Sequence, residues 1–226
     1  FVHVFLLNTI VVNKLNKGIR GNCSEQINIK RFEFLEKFEN TIFIYLGNFL
    51  QLYEETFLNN SNNKIKFEII PAEIQNFNKK LNLFEERNIF FKNNFDETIL
   101  FLTKKNNKLI LLYPFPEIGF DVNKKIHIDK KINYFRFKKE PTKEYFVNLS
   151  DFKKSSQNIF NIFDSIKKDN VYKLYTHMNL CDIEKNKCFA NKGLNVFYQD
   201  QIHLNLKSAK LISDDLNKLI LNLIKK

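Results

Sequence analysis

The sequence predicts an α/β protein built on a parallel β-sheet. Helical patterns alternate along the chain with short strands, and those strands are continuous apolar runs instead of alternating polar and apolar residues. A length of 226 residues with 44% hydrophobic content is enough for one well-buried core. We therefore expect a three-layer sandwich that forms a single domain over residues 1–226.

The first helix and strand are predicted around residue 40. The stretch "KRFEFLEKFE" has the spacing of an amphipathic helix, and "NTIFIYLGN" at residues 40–48 is a β-branched and aromatic run that ends at Gly47. This order predicts a helix followed by a buried strand.

Two further units of a helix and a strand follow. Asp96 is the predicted N-cap of a helix that stops in an Asn-rich turn, and "LILLYPFP" at residues 109–116 is a strand stopped by Pro114 and Pro116. Ser150 is the predicted N-cap of the next helix, before the strand "VYKLYT" at residues 171–176. The apolar stripe of this helix consists of Ile159, Phe160, Ile162, Phe163 and Ile166.

The last predicted element is a helix over residues 206–224, whose apolar residues recur at intervals of three and four. In parallel sheets, binding sites gather at the carboxyl ends of the strands. We therefore expect Gly47 with Asn48, the segment "YPFPEIGF" and the loop carrying Asp200 and His203 to share one edge of the sheet.

Composition restricts the classes of function. The net charge of +11 comes from scattered lysines, which indicates a solvated basic surface and does not favour a nucleic-acid partner. The longest apolar run, residues 1–12, is shorter than the roughly 20 residues that a membrane-spanning helix needs.

Neither a cofactor motif nor the ligand spacing of a zinc site is present, since Cys181 and Cys188 lack a second pair of ligands. These two cysteines form a disulfide in an oxidising compartment or remain free thiols in the cytosol.

Asp200 and His203 are the candidate catalytic pair. A histidine general base needs its ring held in one tautomer and its developing positive charge stabilised, and an aspartate on the far nitrogen provides both. An aspartate three residues before a histidine, in a turn that leads into a helix, can do so from one loop. The alternative is a surface aspartate at the start of the last helix beside a partly buried histidine. Of the other histidines, His127 is expected on a solvated strand edge and His177 just after a strand.

Three stretches carry a resemblance to a known family. In chain order they are "TIFIYLGNFLQLY", "LLYPFPEIGFDV", and "LCDIEKNKC" followed by "FYQDQIHLNLKSAKLISDDL". These stretches resemble, in the same order, parts of the SGNH domains attached to membrane-bound acyltransferase-3 proteins. Together they cover most of residues 40–216. The resemblance implies an SGNH-hydrolase-like fold with His203 as general base and Asp200 as its orienting acid. It also implies a disulfide between Cys181 and Cys188, and Asn48 as a donor to the oxyanion.

One part of the family pattern is absent from the sequence. The Gly-Asp-Ser block that supplies the nucleophile appears nowhere in the 226 residues, and the chain starts at Phe1 within an apolar run. Both observations predict a chain that is incomplete at its N-terminus and inactive when isolated.

The resemblance also implies a function. In that family, a membrane region brings an acyl group across the inner membrane, and a periplasmic SGNH domain passes it to a sugar hydroxyl of a surface polysaccharide or lipopolysaccharide. We therefore expect an O-acyltransferase, most simply an O-acetyltransferase, at the periplasmic face of the bacterial inner membrane, with no cofactor. Its partners would be an acyl donor delivered by an upstream membrane domain and a glycan acceptor. The alternatives are a non-catalytic domain of the same fold that binds a glycan or a partner, and a secreted carbohydrate esterase.

Overall fold

The computed structural model describes residues 25–47, 75–76, 79–80, 84–137 and 143–225. The helices described are α1 (Glu25–Leu35), α2 (Phe84–Leu102), α3 (Val122–Phe137), α4 (Leu149–Ser155), α5 (Gln157–Ser165) and α6 (Leu206–Ile224), with a 3-10 helix at Thr176–Asn179. The strands described are β1 (Ile42–Tyr45), β2 (Gln75–Asn76), β3 (Lys79–Lys80), β4 (Lys108–Leu112), β5 (Phe146–Asn148), β6 (Val171–Leu174), β7 (Cys181–Asp182), β8 (Lys187–Phe189), β9 (Asn191–Lys192) and β10 (Asn195–Val196).

The chain divides into two compact units. The first comprises Phe1–Glu55, Ile69–Pro114 and Gln157–Leu174, and the second comprises Thr56–Glu68, Phe115–Ser156 and Tyr175–Lys226.

The first unit contains the predicted parallel sheet. Its strands lie in the order β1-β4-β6, with Phe43 opposite Leu109 and Leu111 opposite Lys173, and both pairings are parallel. Parallel neighbours need a crossover connection, which α2 supplies between β1 and β4. The predicted α/β class with a parallel sheet is confirmed.

Apolar residues on both faces of this sheet are buried, as its unbroken apolar strands predict. On one face Tyr45, Leu111 and Tyr113 join a cluster to which α1, α2 and α5 contribute, where the Phe95 and Phe163 rings stack with centroids 5.0 Å apart. On the other face Ile44 and Ile110 are also buried. The burial of both faces explains why these strands lack polar alternation.

Two asparagines, the buried Asn107 and the partly buried Asn170, fix the turns at the amino ends of these strands. The Asn107 side chain accepts a hydrogen bond from the Thr41 backbone N–H at 2.9 Å and donates to the Phe38 carbonyl at 3.1 Å. Nδ2 of Asn170 donates to the carbonyls of Thr103 and Asn107 at 3.0 and 2.8 Å. These amides satisfy backbone groups that the sheet leaves without strand partners.

The second unit contains a small antiparallel sheet and three of the helices. Its strands lie in the order β5-β8-β7, and the hairpin of β9 and β10 follows. Helices α3, α4 and α6 belong to this unit, and α6 has the bounds that the sequence predicts.

Three local predictions are wrong. Asp96 lies inside α2, where its carboxylate pairs with Lys92 one turn earlier at 3.0 Å, because the helix begins at Phe84 and needs no cap at Asp96. Ser150 lies in the first turn of α4, whose N-cap is Asn148, and the backbone N–H of Ser150 donates to the side chain of Asn186. His127 is exposed on α3 and not on a strand edge, since "KKIHIDKK" belongs to a helix.

Candidate active site

The segment that carries Asp200 and His203 is a closed loop on the second unit. Tyr198 and Leu204 form an isolated antiparallel bridge at its base, and the Gln199 backbone N–H donates to the His203 carbonyl at 2.8 Å. The bridge brings the two ends of the loop together, so Asp200 and His203 face each other across a few residues.

Asp200 holds the loop with one carboxylate oxygen and the histidine ring with the other. Its Oδ1 accepts hydrogen bonds from the backbone N–H groups of Ile202 at 2.8 Å and His203 at 2.7 Å, as in an Asx-turn. Its Oδ2 lies 2.7 Å from Nδ1 of His203. The structure therefore brings together the two residues that the sequence predicts as a pair.

The electrostatics keep the Asp200 carboxylate negative. Partial burial raises the pKa of Asp200, but the hydrogen bonds from the His203 and Ile202 backbones and from the His203 ring outweigh it and hold this pKa below its usual value. An ionised acceptor facing Nδ1 favours the tautomer with its proton on Nδ1, which leaves the lone pair of Nε2 available. The His203 side chain is 69% exposed, and within the described part of the chain no group hydrogen-bonds to its Nε2. The ring can therefore accept a proton from an incoming hydroxyl.

Hydrogen bonds at three points attach this loop to residues 116–123, which include the second half of the "YPFPEIGF" segment. The Tyr198 hydroxyl donates to the Pro116 carbonyl at 2.5 Å, and the backbone N–H of Ile118 donates to the Gln201 carbonyl at 3.2 Å. Nδ2 of Asn123 donates to the Gln199 carbonyl at 3.0 Å. Two of the segments expected at one edge are thus in direct contact.

Glu117 lies in the same segment and is only 7% exposed. From the sequence, this acid is either a carbohydrate contact or a turn residue, and its burial favours a structural position. Burial, followed by the negative charge of Glu117, raises the pKa of Tyr198, so this phenol stays protonated and able to donate to Pro116.

Sequence reasoning missed three residues that hold the loop. Asn205 is the N-cap of α6, and its Oδ1 accepts from the Ser208 backbone N–H at 3.0 Å; the spacing Asn-x-x-Ser before a helical pattern is a signal that identifies such a cap. Tyr198 and Asn123 give no comparable signal, because their partners lie 82 and 76 residues away along the chain.

Asn48, the predicted oxyanion donor, lies outside the described residues. The described segment ends at Gly47, just after β1. The role of Asn48 and its position beside the Asp200 loop therefore stay predictions.

Cys181 and Cys188 lie opposite each other on the neighbouring strands β7 and β8. Their sulfur atoms are 2.09 Å apart, which is the bonding distance of a disulfide, and their Cα atoms are 3.9 Å apart. The loop between them forms a turn that contains Asn186 at a positive φ of 52°.

His177 is buried in the second unit. It is 4% exposed in the 3-10 helix, and its ring centroid is 5.6 Å from that of Phe152. Burial, and then the positive charge of Lys153, lower the pKa of His177 to about 4. A neutral buried ring of this kind has a structural environment, in contrast to the exposed ring of His203.

The described residues contain neither a metal-binding cluster nor a membrane-spanning helix. Among them, no group of three or more His, Cys, Asp or Glu side chains is arranged to hold a metal ion. None of the helices described is long and apolar enough to cross a membrane.

Comparison with known proteins identifies the class. The family model described as "SGNH domain (fused to AT3 domains)" matches residues 8–218, so the chain belongs to this family. In fold it is similar to the periplasmic domain of a lipopolysaccharide acetyltransferase from Salmonella ser. Paratyphi A. That similarity has a TM-score of 0.55 at 12% sequence identity and covers 92% of this chain and 67% of the other. Among curated proteins, none matches this chain in sequence.

Proposed function

We propose that this chain is the acyl-transferring domain of an O-acyltransferase, with an acetyl group transferred to a sugar hydroxyl of a cell-envelope polysaccharide or lipopolysaccharide. The observation that carries the proposal is the contact of 2.7 Å between Asp200 Oδ2 and His203 Nδ1 in an exposed loop, where no described residue hydrogen-bonds to Nε2. Membership of a family whose domains are fused to AT3 domains, and the likeness to the periplasmic domain of an acetyltransferase, support it.

In the proposed mechanism, His203 is the general base and Asp200 orients it. A serine hydroxyl transfers its proton to Nε2 while its oxygen attacks the acyl carbonyl. The developing imidazolium is stabilised by the Asp200 carboxylate, and backbone or amide donors hold the tetrahedral oxyanion. When this intermediate collapses, the leaving group takes the proton from Nε2 and the acyl group stays on the serine.

The second half of the reaction uses the same pair. A sugar hydroxyl transfers its proton to Nε2 and attacks the acyl-serine, and the serine oxygen then leaves with that proton. The open Nε2 of an exposed ring suits a bulky acceptor, because a glycan can reach it without entering a closed cavity.

The nucleophile of this mechanism comes from a Gly-Asp-Ser block that the 226 residues do not contain. We place Asn48 among the oxyanion donors and the Cys181–Cys188 disulfide as a structural bond of the same domain. The acyl donor reaches the site from a membrane domain, and the reaction takes place at the periplasmic face of the inner membrane.

The experiment that tests this proposal uses the complete gene product that contains this chain, with p-nitrophenyl acetate as an acyl donor. His203→Ala should lower the release of nitrophenol by about 10³-fold or more, since the general base is removed. His127→Ala is the matched control, because His127 is exposed on α3, and it should retain full activity. Equal activity in the wild type and in His203→Ala would overturn the proposal.

A further inference from the structure

We infer that Tyr198 and Asn123 are positioning residues, which fix where the Asp200–His203 pair points relative to the rest of the second unit. This inference rests on the proposed function, in which the direction of Nε2 determines the rate. The hydrogen bonds of Tyr198 and Asn123 do not involve the ring of His203, and neither residue is assigned a chemical step.

The contact between Asp200 and His203 is made within the loop itself. The two backbone hydrogen bonds to Asp200 Oδ1 and the bond from Gln199 N–H to the His203 carbonyl lie within residues 199–203. The pair therefore keeps its internal geometry without help from other elements. Its direction in space needs attachment to something outside the loop.

Residues 116–123 supply that attachment at three points spread along the loop. Ile118 holds Gln201 near the tip, while Tyr198 and Asn123 hold the base. The Ile118 bond joins two backbone groups, so among the bonds described between the loop and residues 116–123, those of Tyr198 and Asn123 depend on a side chain.

The Tyr198 and Asn123 side chains differ in their exposure to solvent. Tyr198 is 1% exposed, so no solvent can replace its hydroxyl in the bond to the Pro116 carbonyl. Asn123 is exposed in the first turn of α3, and its Nδ2 lies 3.0 Å from the Gln199 carbonyl and 3.4 Å from the Tyr198 carbonyl. Asn123, at the start of α3, thus holds the first residues of the loop, Tyr198 and Gln199, through its exposed side-chain amide.

An exposed catalytic loop depends on such attachments more than a buried one does. The His203 side chain is 69% exposed and the Asp200 side chain 47%, so little packing restrains them. A displacement of about 1 Å at a reacting atom can cost on the order of 100-fold in rate. Loss of one of three attachments should therefore lower the rate without removing the base.

The test measures kcat and KM of the complete gene product for p-nitrophenyl acetate in four variants. Asn123→Ala and Tyr198→Phe remove one hydrogen bond each, and Asn123→Asp removes the donors at nearly constant volume. We expect each to lower kcat by on the order of 10-fold with little change in KM. The matched control is Asn148→Ala, because Asn148 is also an exposed amide of the second unit and bonds to Asp151 instead of the loop.

The pH profile separates positioning from damage to the pair. Because the Asp200–His203 contact is local, the pH of half-maximal kcat should stay at its wild-type value in the Asn123 and Tyr198 variants while the plateau falls. A general structural effect would instead lower the thermal midpoint and affect Asn148→Ala equally.

The outcomes distinguish this inference from the function on which it rests. If His203→Ala is inactive while all three loop variants stay within about twofold of wild type in kcat, the positioning role is wrong and the proposed function stands. A loss in Asn148→Ala as large as in the Asn123 variants would also overturn the positioning role. Full activity in His203→Ala would overturn the proposed function itself. If Tyr198→Phe does not fold, the two variants of the exposed Asn123 decide the result.

Discussion

Replacing Asp200 with asparagine separates the two tasks of this side chain. The oxygen that accepts from the Ile202 and His203 backbones is retained in Asp200→Asn, so the loop keeps its turn. The second oxygen, 2.7 Å from His203 Nδ1, becomes an amide nitrogen. An amide N–H facing Nδ1 needs an acceptor there, and the ring proton is therefore moved to Nε2. That nitrogen can then no longer accept a proton from the serine.

The structure gives the expected size of both effects. The His203 and Asp200 side chains are 69% and 47% exposed, so loss of the charge of this pair should change the free energy of unfolding by less than about 1 kcal/mol. Loss of the correct tautomer and of the stabilising charge should lower kcat by about 10³ to 10⁴-fold, which corresponds to about 4 to 5.5 kcal/mol of transition-state stabilisation. A catalytic pair should therefore lose several times more transition-state stabilisation than free energy of unfolding.

The assay combines kcat for p-nitrophenyl acetate with calorimetric unfolding of the same complete gene product. Asp200→Ala is the informative companion, because it removes both oxygens and should lose activity and, in addition, about 1 kcal/mol of loop stability. Retention of more than about a tenth of the wild-type kcat in Asp200→Asn, with His203→Ala inactive, would refute the orienting role of Asp200.

Three further predictions concern other parts of the molecule. Asn107→Ala leaves the buried Thr41 backbone N–H without its acceptor and should lower the free energy of unfolding by about 2 kcal/mol in denaturant titrations, whereas Asn93→Ala, at an exposed position inside α2, should cost much less. The double variant Cys181→Ser with Cys188→Ser, which opens a loop of sequence separation 7, should lose about 2 kcal/mol, and a reducing agent should destabilise the wild type but not the variant. Burial, and then the charge of Lys153, lower the pKa of His177 from 6.5 to about 4. Between these pH values the unfolded state binds more protons than the folded state, so the stability that the neutral His177 ring contributes is lost as the pH falls. The wild type should lose roughly 3 kcal/mol relative to His177→Gln between pH 6.5 and 4, and a constant difference between them would contradict this.

Much of the fold could be predicted because the strands are apolar on both faces. Unbroken runs such as "LILL" identified β4, and stripes of apolar residues identified the bounds of α6 and the residues of α5, but the structure divides the helix predicted from Ser150 into α4 and α5 at Ser156. Helix starts were predicted less well. Asp96 looked like a cap only because the residues before it are a mixture of Asn, Phe and Lys without a clear helical stripe, yet α2 begins at Phe84.

The site could be predicted only as far as it is local. Asp200 and His203 are three residues apart, so their contact follows from the geometry of one turn. Tyr198 and Asn123 act through partners distant in the chain, and a single sequence contains no signal for such pairs. The burial of His177 was equally hidden, because its neighbour Phe152 comes from another helix.

The central claim is tested most directly by measuring ester-linked acetate on the envelope glycans of the organism that encodes this protein. Acetate released by mild alkali should disappear when the gene is deleted, return with the wild-type gene, and stay absent with the His203→Ala gene expressed at the same level. Full restoration of acetate by His203→Ala would contradict the account, because no acyl transfer by the proposed mechanism can proceed without the base.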